Sequence, residues 1–92
     1  GGTRLKILEA MALRTPVIAT SKGAEGLDVT NGKQILLADT PDLFAQTVTQ
    51  ILQDQALRQS LADQAYQFVS KQYDWSIVAP RFLELVEQTI PA

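Results

Sequence analysis

The sequence predicts an α/β fold built on a parallel sheet, and only the trailing part of one. Three observations lead there. Two short aliphatic runs, "TPVIAT" (15–20) and "KQILLAD" (33–39), are bounded by turn formers. Stretches with a helical apolar period flank them on both sides. The resulting order, helix–strand–loop–strand–helix–helix–helix, is that of an open α/β fold whose remaining strands lie upstream. Two strands alone make too little sheet to stand independently.

Residues 4–13 form the first expected helix. On a helical wheel Leu5, Ile7, Leu8, Met11 and Ala12 make one apolar sector, with Glu9 at its edge, where its carboxylate could reach a cleft lip. Thr3 suits the N-cap, and Gly1 and Gly2 let another group approach the backbone closely. "TPVIAT" is read as a strand buried on both faces. "SKGAEGLD" (21–28) is a glycine-containing loop, "TNG" (30–32) a tight turn and "KQILLAD" the second strand. The next helix announces itself: Thr40 caps, Pro41 fits the first helical position and Asp42 complements the dipole. Its expected apolar face is Leu43, Phe44, Val48, Ile51 and Leu52. Asp54 opens a further helix with the stripe Leu57, Leu61, Ala65, Phe68 and Val69. A last helix is expected from Ser76 to Thr89, bearing Ile77, Phe82, Leu83, Leu85 and Val86, with Ile90 just beyond; Pro80 lies in its first turn or kinks it.

The 92 residues make one small domain or a piece of a larger one, and a hydrophobic fraction of 46% is that of a globular chain. A net charge of −2 gives no global footprint for nucleic acid, so any anion site is local. The absence of Cys and His removes disulfides, thiol chemistry, His-based acid–base catalysis and nearly all zinc sites. No apolar run approaches the roughly 18 residues that span a bilayer, and a cytoplasmic location is expected. The chain does not begin with Met and its most informative motif starts at residue 1. The expected context is therefore a longer protein, with residues 1–92 a single incomplete domain.

That motif is "GGTRLKILEAMA" (1–12). A helix N-terminus behaves like roughly half a positive charge, so Arg4 and Lys6 are mildly misplaced there unless an anion sits in front of them. Glycines feeding a helix N-terminus make a general anion pocket, and a diphosphate would relieve the misplacement. Glu9, farther down the helix, suits a ribose hydroxyl at the other end of a nucleotide. On the residues alone, a solvated helix start is the commoner arrangement, and Glu9 equally suits a pairing with Lys6.

"KILEAMALRTPVIATSKGAEGL" resembles the donor-binding domain of the retaining GT-B glycosyltransferases of family four. The shared features are a helix ending E-A-M-A, then P-V-I, a small-residue loop with glycine, and later an aromatic–Trp pair, here "YDW" (73–75). The resemblance covers essentially the whole chain and is most specific in its first third. It implies the C-terminal half of a Rossmann-like domain, with two short parallel strands and about four or five helices. By this resemblance Glu9 is the second glutamate of an E-x(7)-E motif that holds the donor ribose, and the segment around Gly2, Thr3, Arg4, Leu5 and Lys6 meets the donor sugar and diphosphate. The first glutamate of the motif would fall on Gly1 and is absent, so the sugar hydroxyls are recognised differently in this G-G-T-R-L-K subgroup. Arg14 replaces a family glycine that would serve a left-handed helix end, and is expected to complement the last carbonyls instead. Gly23 matches the loop glycine, while Leu27 stands where many members carry Glu, so Glu25 receives no role.

Other constellations read as structural. Asp39 and Asp42 are strand-end and helix-cap residues, with no third ligand at metal-site spacing. Tyr73 and Trp75 pin the last helix to the core. Lys22 follows the first strand, at the end where open α/β sheets bind ligands, and is read as a solvated charge.

The resemblance thus implies part of an enzyme that transfers a sugar from a nucleotide-diphosphate-sugar donor with retention, in partnership with a missing N-terminal acceptor domain and without a cofactor or catalytic metal. No catalytic residue is assigned to this segment, which alone is expected to be inactive. A non-catalytic helical protein-interaction module is the alternative, and a sugar-phosphate epimerase of similar two-domain fold fits the E-A-M-A string less well. A peripheral membrane association of the parent is left open. Self-association is expected through the sheet edge and the apolar flank of the first helix.

Overall fold

The computed structural model describes residues 2–72 together with Pro80. Among these, three helices and two strands follow in the order α1 (Gly2–Ala12), β1 (Ile18–Ala19), β2 (Leu36–Leu37), α2 (Pro41–Gln53) and α3 (Gln55–Gln72). The expected helix at 76–89, with Ile77, Phe82, Leu83, Leu85 and Val86, as well as Ile90, Tyr73, Trp75 and Gly1, lies outside the described residues. Pro80 itself is helical and exposed.

β1 and β2 pair in parallel, Ile18 opposite Leu36 and Ala19 opposite Leu37. The Leu36 N–H donates to the Val17 carbonyl at 3.1 Å and the Ala38 N–H to the Ala19 carbonyl at 2.9 Å. Both strands are shorter than the aliphatic runs that contain them, and their residues are half-buried instead of covered on both faces. Two causes combine: Pro16 has no N–H for a ladder, and a two-stranded sheet offers each strand a partner on one edge only. The turn before β2 is held by side chains standing in for strand partners. Asn31 Oδ1 accepts from the Leu37 N–H and Gln34 Oε1 from the Thr30 N–H, each at 2.9 Å.

The core lies where α1, α3, β2 and the loop after β1 meet. Ile7, Leu8 and Met11 of α1 cluster with Ala65, Phe68 and Val69 of α3, and with Ala24 and Ile35. The α3 stripe is as expected, with Leu57 half-buried. The flank of α1 is therefore covered, correcting the expectation of an exposed apolar face there. Glu9 differs as well. It sits inside, at 4% exposure, and not at the edge of the apolar sector where the wheel placed it.

α2 begins as its sequence signals dictate: Thr40 is the N-cap, and its Oγ1 accepts from the Leu43 N–H at 3.1 Å. Its buried line matches the expected face only in part: Ile51 is buried and Val48 half-buried, as expected. Thr47 is buried as well, while Leu43, Phe44 and Leu52 are exposed. A threonine is tolerated inside because its hydroxyl donates to the Leu43 carbonyl at 2.7 Å. Asp54 caps α3 through the Leu57 N–H at 2.9 Å, and Arg58 reaches back to the Ile51 and Leu52 carbonyls that end α2.

The end of α1 forms a Schellman motif. Arg14 adopts the left-handed conformation (φ +56°), its N–H donates to the Met11 carbonyl, and the Thr15 N–H closes onto the Ala10 carbonyl at 3.0 Å. The Arg14 side chain does not complement these carbonyls, correcting that expectation, because backbone N–H groups already satisfy them. It reaches α3 instead, pairing with Asp63 at 2.9 Å and stacking 4.0 Å from the Tyr66 ring centroid.

Candidate functional site

The N-terminus of α1 opens into a cleft of about 640 Å³. One wall is the first turn of the helix, Gly2, Thr3 and Arg4; the other is the loop leaving β1, with Thr20, Lys22, Gly23, Glu25 and Gly26. The cleft therefore lies at the carboxyl end of a parallel strand, the customary ligand side of such sheets. The helix already includes Gly2 and Thr3. Thr3 is thus in the first turn and does not cap it, and its side chain faces the loop.

The loop is folded on itself before it meets the helix. Thr20 Oγ1 accepts from the Gly23 N–H at 3.0 Å, and the Thr20 carbonyl accepts from the Ala24 N–H at 3.1 Å. Ala24 is buried and anchors the segment in the core. A Cβ on Gly23 would stand 3.1 Å from Thr20 Oγ1 and 3.4 Å from Thr3 Cγ2, so the absent side chain is what lets loop and helix approach. Asp39, just beyond β2, accepts from the Ser21 N–H at 2.7 Å and the Ser21 hydroxyl at 2.6 Å, tying the loop's start to the sheet. Those hydrogen bonds hold the Asp39 carboxyl below its ordinary value.

The electrostatic balance of the cleft favours an anion. No acidic residue occupies the first turn of α1, whose dipole presents its positive end there. Arg4 and Lys22 add two cations and Glu25 one negative charge. Such a constellation can bind and neutralise phosphate oxygens. Among the described residues no cluster of three or more acidic groups could hold a metal ion, and no helix is long and apolar enough to cross a membrane.

Of the residues singled out from the sequence, the structure brings Gly2, Thr3 and Arg4 together in the cleft. Leu5 is half-buried and Lys6 exposed, and neither lines it. Glu9 does not line it either. It sits roughly 10 Å farther along the helix axis, at the standard rise per residue, and is buried, so it is not a lip residue. Sequence reasoning missed Thr20 and Gly26 and set Lys22 and Glu25 aside. The Thr-x-x-Gly spacing of Thr20 and Gly23 is the signal that marks this loop as a side-chain-closed turn.

Comparison with known proteins bears on the same segment. A family model described as "Glycosyl transferases group 1" matches residues 1–54. A protein of Corynebacterium urealyticum named D-inositol 3-phosphate glycosyltransferase is 37% identical over 83 residues, covering 88% of this chain and 19% of that protein. A "Probable sucrose-phosphate synthase" of Thermosipho melanesiensis is 32% identical over 84 residues, covering 91% of this chain and 19% of its own length. The chain thus spans about a fifth of the curated relatives it matches. No solved structure matches it significantly. With the family model covering more than half its length, the two-stranded parallel α/β arrangement is consistent with part of a Rossmann-like domain, and the chain belongs to the group 1 glycosyl transferases.

Proposed function

We propose that this chain supplies part of the donor site of a retaining glycosyltransferase that uses a nucleotide-diphosphate sugar. The cleft at the N-terminus of α1 carries the reading: it is open, cationic and built from the segment that the family resemblance assigns to the donor. Backbone N–H groups of Gly2, Thr3 and Arg4 face the diphosphate, helped by the Arg4 guanidinium and the Lys22 ammonium. Leu5 shapes the start of the helix and Lys6 adds to the positive field, while Glu9, buried and outside the cleft, does not reach the ribose from its position here. A helix dipole and cations placed where charge develops on the departing diphosphate lower the barrier to its loss. The acceptor and the rest of the donor site belong to a longer protein, and the segment alone turns over no donor.

Titrating UDP or GDP while following backbone amides tests this directly. Shifts should concentrate at residues 2–9 and 20–26, and no perturbation there at millimolar ligand refutes the assignment. In the whole enzyme Arg4→Ala should weaken donor use.

One observation favours the second reading, an interaction surface: Leu52 is 69% exposed on α2, a helix that also exposes Leu43 and Phe44. On that reading the chain self-associates, and Leu52→Lys returns it to a monomer in sedimentation.

A further inference from the structure

Among the described residues two glycines adopt left-handed backbone, Gly26 at φ +91° and Gly32 at φ +89°. Their surroundings differ. A Cβ on Gly32 would meet nothing within 4 Å. One on Gly26 would overlap Nη1 of the Arg4 guanidinium and stand 3.5 Å from Arg4 Cδ and Cζ. Backbone conformation alone accounts for Gly32. Gly26 has a second reason to lack a side chain, because Arg4 fills the space. Nor is Gly26 free to drift: the Leu27 N–H donates to the Ala24 carbonyl at 3.1 Å across it, and Ala24 is buried.

From this contact we propose that Gly26 is a positioning residue. Its bare Cα face seats the Arg4 guanidinium in the cleft and thereby sets how tightly the cleft holds a diphosphate. The ligand half rests on the donor-site reading above; the seating of Arg4 does not. An arginine in a helix's first turn has many rotamers, and an unsupported one loses that freedom on meeting an anion. Laid on a fixed surface, the planar fork keeps its five N–H donors presented and loses less entropy when two of them engage phosphate oxygens. Any β-carbon at position 26 pushes the fork away while leaving Lys22 and the helix N-terminus in place.

The test uses the full chain, inorganic pyrophosphate as ligand, and the variants Gly26→Ala, Gly32→Ala, Arg4→Ala and Gly26→Ala with Arg4→Ala. Both glycine substitutions carry left-handed strain, so Gly32→Ala serves as its control. Relaxation of the Arg4 Nε–H should report an ordered side chain in the wild type and in Gly32→Ala, and a mobile one in Gly26→Ala. Pyrophosphate affinity should fall about tenfold in Gly26→Ala and not at all in Gly32→Ala. Once Arg4 is alanine, Gly26→Ala should change it no further. Should Gly26→Ala fail to fold, Gly26→Asn carries the same test, since Asn tolerates left-handed backbone. An unaltered Arg4 Nε–H signal in the Gly26 variant overturns the seating. A loss of affinity that persists without Arg4 overturns the role assigned to it. Wild-type protein that binds no pyrophosphate overturns the ligand half and the donor-site reading together, while the Nε–H comparison still decides the seating.

Discussion

Replacing Arg14 tests the end of α1 through the sign of a difference. Arg14 is a non-glycine residue in left-handed backbone, closing the Schellman motif while its side chain lies on α3. The left-handed conformation costs an L-residue about 1–2 kcal/mol. Against that, the Arg14–Asp63 pair has side chains 54% and 44% exposed, so screening leaves it worth about 0.5 kcal/mol. Stacking on Tyr66 at 4.0 Å contributes about 0.5–1 kcal/mol at such an exposed position. Arg14→Ala keeps the strain and loses both contacts, a destabilisation of about 1–1.5 kcal/mol. Arg14→Gly loses the same contacts but sheds the strain, so about 1 kcal/mol returns. Glycine should therefore be more stable than alanine here by about 1 kcal/mol, roughly 4–8 °C in Tm for a domain of this size. Helix propensity alone gives the opposite sign by about the same amount. Urea unfolding followed by far-ultraviolet circular dichroism measures the three proteins, and alanine matching or exceeding glycine refutes the reasoning.

Three more outcomes can be checked. Asp39 is held below its ordinary value by Ser21, so its contribution to stability is present above the unfolded value near 3.8 and disappears as pH falls through the lower folded value. Ser21→Ala should raise the Asp39 titration midpoint, read from its carboxyl carbon, and identical midpoints would show that Ser21 does not set it. Arg58→Ala strips the Ile51 and Leu52 carbonyls of their charged donor and should cost about 1–2 kcal/mol, with Arg58→Lys recovering only part. Thr40→Ala should cost about 1 kcal/mol in denaturant unfolding, whereas Thr40→Ser should stay within a few tenths.

What could be read from the sequence was what short-range chemistry decides. The starts of α2 and α3 follow from Thr40, Pro41 and Asp54 acting on their own first turns. The glycine-flanked opening of α1 was likewise visible, and it forms one wall of the cleft. What escaped reading depends on partners far along the chain. Strand length depends on neighbouring strands, and the burial of Glu9 depends on what packs over its helix. The Arg14 partners lie in α3, 49 residues from it in the case of Asp63, so a local rule sent its side chain to the wrong carbonyls. The loop wall of the cleft was missed for the same reason, since Thr20 and Gly26 acquire meaning only when Thr3 and Arg4 stand opposite them.

The segment shared with the family model stops at residue 54, yet Met11, fully enclosed, touches side chains supplied beyond residue 60. Motif and folding unit thus have different boundaries. A chimera spliced at residue 54 would carry the matched segment without the α3 side chains that complete its interior.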